Sequence, residues 1–278
     1  MSVNNILSLY FYEQGLADAS SIVFLHGGGG GSWMWQPQFE ALSEFHILAP
    51  DLPEHGNSAA IKPFSIQDGA ARVAELIRTR AHQGKAHMVG LSEGAQVTLA
   101  LLALHPELVD HAILSSALVR PIPGASLMSP GLIASSVKWF VEPFKNNDWW
   151  IRLNMKYSAG VPEKYFPQFK KDFQNMTGDS FTHVMTENQR FRLPDGLQRV
   201  DVPTLVVAGK REYSVMRQSV RDIAAAMPNA KGFLVAHPNK LSLAEEHNWS
   251  LAAPDLFTRM VRTWITGQLL PAELQHVQ

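Results

Sequence analysis

The 278-residue chain contains no cysteine. A disulfide framework, thiol catalysis and a thiolate metal site are therefore excluded. Charge is sparse as well: 18% of residues are charged, below the roughly 25% of an average soluble domain, so much of the surface that forms should be buried. The 24 basic and 25 acidic residues leave a net charge of −1, with no block of Lys or Arg. The electrostatic footprint of a DNA or RNA binder is thus missing. No apolar run approaches the roughly 18 residues that would span a bilayer. Met1 to Tyr12 lacks the basic start and small-residue cleavage site of a secretory signal. The expectation is a soluble cytoplasmic protein acting on a small molecule, with no membrane or nucleic-acid partner and an oligomeric state the sequence leaves open. Gly (19) and Pro (17) are near ordinary usage and follow no period, which excludes fibrous and disordered classes. The length suits one large α/β domain as well as two smaller ones.

Short apolar runs alternate with helical stretches. Ile6 to Tyr12 reads as a strand, and Ser21–Leu25, ending in a glycine tract, as a buried parallel one. Further strands are expected at His46–Pro50, Ala86–Val89, Ala112–Leu114, Thr204–Ala208 and Lys231–Val235. Helices are expected over Ser65–Arg80, where Ile66, Ala70, Val73 and Ile77 share a face, over Ala95–His105 and over Leu256–Ile265. Strand, helix, strand in repetition predicts a mostly parallel sheet with helices on both faces. Residues 120–200 break the rhythm. They show no clear strand and hold 12 of the 26 aromatic residues. Eighty residues are too many for a structureless connection, so a helical insertion packed over one edge of the sheet is predicted. Its rings either wall an apolar pocket or fasten the insertion to the body.

Two segments carry chemistry. Gly90-Leu91-Ser92-Glu93-Gly94 lies between a strand and an apolar helix. That context makes it a G-x-S-x-G turn presenting Ser92 as a nucleophile, rather than an ordinary strand–helix turn. The helix behind Ser92 offers free N–H groups to a developing oxyanion. Glu93 faces either the pocket or the outside; the expectation is outward, complementing the helix N-terminus. His26-Gly27-Gly28-Gly29-Gly30-Gly31 also follows a strand. No Gly-Lys-Ser/Thr follows it, and Ser32 and Trp33 stand where a dinucleotide fingerprint needs glycine, so both phosphate-loop readings fail. The remaining use is to aim the N–H of Gly28 at the same oxyanion as the N–H of Glu93. Such chemistry needs no cofactor, and no histidine pair has a metal-site spacing.

The His26–Gly28 loop, the Asp51-Leu52-Pro53-Glu54-His55-Gly56-Asn57-Ser58 turn and the Gly90–Gly94 elbow together resemble the α/β-hydrolase superfamily, from about Ile6 to Thr266. The turn is similar to the family's D-x-x-G-x-G-x-S stretch, with Glu54 where glycine is usual; its role there is structural, so no chemistry falls to His55. The resemblance implies a core of residues 1–119 and 201–278 with a helical cap at 120–200. It also implies a catalytic acid and histidine downstream of Ser92, in that order. Glu212 falls in the turn after Thr204–Ala208, where most relatives carry aspartate; it either orients the histidine or is a solvated side chain beside Lys210 and Arg211. His247, in a stretch resembling H-x-W-N-x-x-x-P-x-x-F, is the base the resemblance favours, with His237 the alternative. Trp33, Trp139, Trp149, Trp150 and Trp249 are the candidate substrate-contacting rings. The implied activity is acyl-enzyme hydrolysis of a small to medium apolar ester or lactone. Carbon–carbon bond hydrolysis, other triad reactions and a weakly catalytic small-molecule receptor stay open on the same fold. Dehalogenation would want aspartate at position 92.

Overall fold

The computed structural model describes residues 8–16, 18–122, 124 and 129–277. Eight strands form one sheet: β1 Phe11–Gln14, β2 Ser21–Leu25, β3 His46–Pro50, β4 Ala86–Leu91, β5 Val109–Ser115, β6 Thr204–Gly209, β7 Ala230–Val235 and β8 Leu274–His276. Their order is β1-β3-β2-β4-β5-β6-β7-β8. The two edge pairings are antiparallel and the rest parallel. The helices in chain order are α1 Gln36–Ala41, α2 Ile66–Arg80, α3 Glu93–Leu104, α4 Pro130–Phe140, α5 Asp148–Asn154, α6 Phe166–Asn175, α7 Gly178–Arg190, α8 Ser214–Ala226, α9 Leu243–His247, α10 Trp249–Ala252 and α11 Pro254–Ile265.

The apolar strands are buried on both faces, and alternation divides their side chains between two cores. Val23 and Leu25 of β2 join Met88, Leu114 and Val206 beneath α2, α3 and α8. Ile22 and Phe24 join Val89, Ile113 and Val207 on the opposite face, with Phe257, Met260 and Val261 of α11. Period-two alternation with both faces apolar is what a covered parallel sheet requires. Each large side chain so buried stabilises the fold by about 1.5–3 kcal/mol. Ser65 caps α2 by accepting from the Asp68 N–H. At Gly69 the helix runs close enough that a Cβ would touch Val97 of α3. Every residue from Glu93 to Leu102 is buried, since α3 packs against sheet and α2 alike.

The expected strands and helices recur with small shifts at their ends. Two differences come from the sheet edges. The first strand begins at Phe11, with its register set by Phe11↔Pro50, while Ile6 and Leu7 lie outside the described residues. Strand β8 was not expected from Leu274-Gln275-His276, where a single apolar residue gives no alternation to read; it exists through pairing with Phe233–Val235. Between β5 and β6 the chain forms α4 to α7 and no strand among the described residues. No helix of the described residues is long and apolar enough to cross a membrane.

Candidate active site

Strand order fixes the place of the site. The chain passes from β2 to β3 on one side and returns to β4 on the other, so β2 and β4 are neighbours at a switch point, with Leu25 opposite Gly90. Loops leaving the carboxyl ends of such strands diverge and open a crevice between them. Here those loops are the glycine tract after His26 and the turn at Ser92.

That turn is tight. Ser92 has φ 54° and ψ −113°, a strained conformation for a residue with a side chain. It persists because glycines stand two residues before and two after it. A Cβ at Gly90 would sit 2.5 Å from the Gly94 carbonyl oxygen, and one at Gly94 would collide with the Leu25 carbonyl. Strand, serine and helix can cross this closely only without those side chains. Glu93 is the first residue of α3, so its N–H has no intrahelical acceptor.

The glycine tract is oriented by the residue preceding it. His26 is fully buried; its Nδ1 donates to the Gly27 carbonyl (2.9 Å) and its Nε2 accepts from the Leu52 N–H (3.0 Å). This pair of bonds fixes one neutral tautomer, and burial lowers the pKa of the ring. The Gly27 carbonyl and the Gly28 N–H belong to one trans peptide and point in opposite directions. By holding the carbonyl, His26 therefore aims the Gly28 N–H away from itself. No motif in the sequence announces this contact of His26.

Glu212 and His247 arrive from further along the chain. Glu212 follows β6 and is 2% exposed. Its Oε1 lies 2.5 Å from His247 Nδ1, and its Oε2 accepts from Ser116 Oγ (2.9 Å) and the Gly209 N–H (3.1 Å). Ser116, itself at φ 54°, thus helps to hold Glu212 in place, a contact that motif reading does not reveal. His247 ends α9, which begins with a capping box between Ser242 and Glu245. Glu246 does not orient the imidazole; it accepts from the N–H and guanidinium of Arg211, tying α9 to the turn that carries Glu212. His237 packs against Trp249 instead.

Ser92, His247 and residues 27–30 line one cavity of about 530 Å³. Val137 of α4 and Val141 just beyond it, Phe169 and Phe173 of α6, and Phe181 and Met185 of α7 form much of its wall. Of the five candidate tryptophans, only Trp33 borders it. Its Nε1 donates to Asp172 of α6 (2.6 Å), whose pKa burial raises to about 6 against the opposing effect of that hydrogen bond. Trp139 and Trp149 point to solvent, each 69% exposed. Trp150 packs on Phe144 away from the cavity, and Trp249 is wholly buried, donating to Ser115 Oγ (3.0 Å) under Phe257. These four are corrected from substrate contact to packing or surface, because the rotation of each helix selects which rings face inward.

Glu93 is corrected too. Its side chain reaches neither the cavity nor solvent: it is fully buried, with Oε1 3.6 Å from His55 Nε2 and Oε2 against Gly28. Burial, reinforced by Glu187, raises its pKa well above the usual carboxylate range.

Glu54, with φ 63°, joins the turn to α7. Its carboxylate accepts from the Phe64 N–H (2.9 Å), Ser180 Oγ (3.1 Å) and His183 Nδ1 (2.9 Å). Because α7 also carries Phe181 and Met185, this buried carboxylate sets how the wall sits over the cavity. Glu54→Ala leaves three donors without their acceptor and is expected to cost about 2 kcal/mol. A urea midpoint shifted to lower concentration at unchanged slope would register that loss.

The strand order and the serine turn after β4 define an enzyme fold of the α/β-hydrolase class. Residues 21–246 match the model of the family described as alpha/beta hydrolase fold, and the chain belongs to that family: it is a hydrolase. It is 29% identical over 271 residues to an AB hydrolase superfamily protein of Gibberella zeae, covering 94% of this chain and 85% of that one. It is 22% identical over 248 residues to Lipase 1 of Psychrobacter immobilis, covering 85% and 76%. The enol-lactonase of Burkholderia xenovorans superposes with a TM-score of 0.73 over 93% of this chain and 96% of its own, at 22% identity.

Proposed function

We propose that the protein is a serine hydrolase that cleaves small to medium, apolar carboxylic esters or lactones through an acyl-enzyme, with α4 to α7 serving as a cap over the substrate. The observation that carries this reading is the Glu212–His247 pair, whose imidazole borders the same apolar cavity as Ser92. Ionised Glu212 holds the proton on Nδ1, leaving Nε2 as the base. Nε2 takes the Ser92 proton as Oγ attacks the carbonyl carbon. The N–H groups of Gly28 and Glu93 receive the oxyanion, each such donor being worth roughly 3 kcal/mol in the transition state. The imidazolium then protonates the leaving alkoxide, and water repeats the sequence on the acyl-enzyme. A lactone follows the same path, its alcohol remaining tethered to the acyl chain. The apolar wall favours an uncharged substrate, and the relatedness to Lipase 1 agrees with ester chemistry.

A fluorophosphonate probe should label the protein once, and peptide mapping should place the adduct on Ser92. Attachment to another serine, or no attachment, overturns the mechanism. Rapid turnover of p-nitrophenyl butyrate would in turn reject a receptor that keeps the residues without using them.

A further inference from the structure

Among the buried acids, Glu93 has no side-chain role in the hydrolysis and no hydrogen-bonded role in the fold. Glu93 contributes its N–H, yet its side chain is sealed beneath the glycine tract with both oxygens lacking any hydrogen-bond partner. Its Oε1 faces His55 Nε2 at 3.6 Å, which is also without a partner. The other nitrogen of His55 settles where protons lie. Nδ1 is 2.9 Å from the Pro53 carbonyl, which can only accept, so Nδ1 carries a proton and a neutral ring presents a lone pair at Nε2. A lone pair facing a carboxylate would be repulsive, so one proton belongs between Nε2 and Oε1. Placing it on His55 would create two buried charges; placing it on Glu93 creates none. Burial and the neighbouring His26 ring push the His55 pKa down to about 3, in the same direction.

We propose that Glu93 is a positioning residue kept as an uncharged carboxylic acid behind the oxyanion loop, and that its ionisation at alkaline pH switches hydrolysis off. The geometry gives the reason. Oε2 would lie 3.2 Å from a Cβ on Gly28, and Val184 presses on the same glycine from α7. The carboxyl group thus belongs to the residue that supplies one of the two N–H donors assigned to the oxyanion and packs against the glycine that supplies the other. A neutral acid adds no charge there. A carboxylate would stand close behind the developing negative oxygen. Two like charges about 6 Å apart at an effective dielectric near 20 repel by the equivalent of roughly a hundredfold in rate. Among the described residues, the ionisable groups on the surrounding elements give it no cation to lean on. His55 is neutral, with His26 and Asp51 behind it; Glu54 shares its loop and pairs with His183 of α7; Glu187 of α7 adds negative charge; His247 lies across the cavity.

This inference rests on Ser92 being the nucleophile, so the test has one readout tied to turnover and one independent of it. With p-nitrophenyl butyrate, kcat/KM of the wild type should fall about a hundredfold on the alkaline side of its profile. In Glu93→Gln, the ratio of alkaline to neutral kcat/KM should lose that fall. Infrared difference spectra against Glu93→Gln at pH 8 should show the carbonyl stretch of a protonated carboxylic acid. In the wild type the band should vanish over the same pH range as the activity. At pH 8 Asp172, with a pKa of about 6, is already ionised and does not contribute. A Glu93→Gln profile with the alkaline fall intact, or no such band in the wild type, overturns the proposal. Should circular dichroism show that Glu93→Gln does not fold, Glu93→Met must abolish the fall, and the wild-type infrared titration decides by itself. Absence of any ester turnover with the band present would reject the hydrolytic reading and leave the neutral acid standing.

Discussion

Ser92→Ala should lower kcat about a millionfold, the scale seen when a serine hydrolase loses a nucleophile whose action is inseparable from that of its base. Removing Oγ deletes the atom that forms the acyl bond. Two other hydroxyls line the cavity, Ser158 and Thr177, but neither sits in the turn that leads into α3, and Thr177 Oγ1 is engaged in capping α7. The fold should be indifferent. The side chain of Ser92 makes no capping bond to α3, and alanine pays much the same backbone strain at φ 54°. Substrate should still enter a cavity of unchanged shape, so binding of an unreactive substrate analogue, measured by calorimetry, should persist. The pairing of lost turnover with retained binding and unchanged thermal unfolding is the expected result. Turnover within tenfold of wild type would mean that the bond-forming atom belongs to another residue.

How much of this was legible beforehand depended on the range of the forces involved. The turn around Ser92 could be read because its constraint is local: Gly90 and Gly94 are required by atoms no further away than adjacent strands. Thr204–Ala208 and its neighbours could be read because burial on both faces leaves an unbroken apolar run. Glu212 and His247 were reachable only through the order of residues in a resembling family, since 35 positions separate them and no local pattern announces their meeting. Four of the five candidate tryptophans do not line the cavity. Aromatic content predicts that a segment packs, but which side of α4 or α5 faces the cavity depends on neighbours distant in sequence. The orientation of Glu93 failed for the same reason. A carboxylate beginning a helix ordinarily faces water, and its burial became visible only with His55, Gly28 and Val184 in place. His26 and Ser116 act through backbone carbonyl and carboxylate partners that no motif records.

The departure of Glu54 from the family's glycine now has a structural account. Glycine at that turn would satisfy the backbone at φ 63° without strain. Glutamate accepts the strain and supplies a carboxylate that joins α7 to the loop beside the glycine tract. The same loop carries His55, which meets Glu93. The wall of the cavity and the buried carboxyl of Glu93 are therefore fastened to one turn, Asp51 to Ser58, whose first member accepts from the Ser32 and Asn57 N–H groups (2.7 and 2.8 Å). A segment without reacting atoms thus holds both sides of the site at fixed distance.

Glu212→Gln is expected to reduce kcat about ten-thousandfold while preserving the fold, for a reason specific to the partners of the two carboxylate oxygens. Oε2 accepts from Ser116 Oγ and the Gly209 N–H, whereas Oε1 meets His247 Nδ1 alone. An amide has one oxygen to offer. Turned so that its oxygen keeps the two donors, it presents N–H to Nδ1 and forces the imidazole into the tautomer protonated at Nε2. That nitrogen can then no longer take the Ser92 proton. Turned the other way, the amide keeps the tautomer but sets its own hydrogens against the Gly209 N–H, a buried clash of donors costing about 1–3 kcal/mol. The first arrangement satisfies more bonds and should prevail, so the loss is one of proton position, with the imidazolium also deprived of its counter-charge. The distinguishing observation is spectroscopic: the far-downfield imidazole N–H proton resonance expected of a carboxylate-bound Nδ1 should disappear in the variant. Near-wild-type turnover, or retention of that resonance, would place the acid elsewhere.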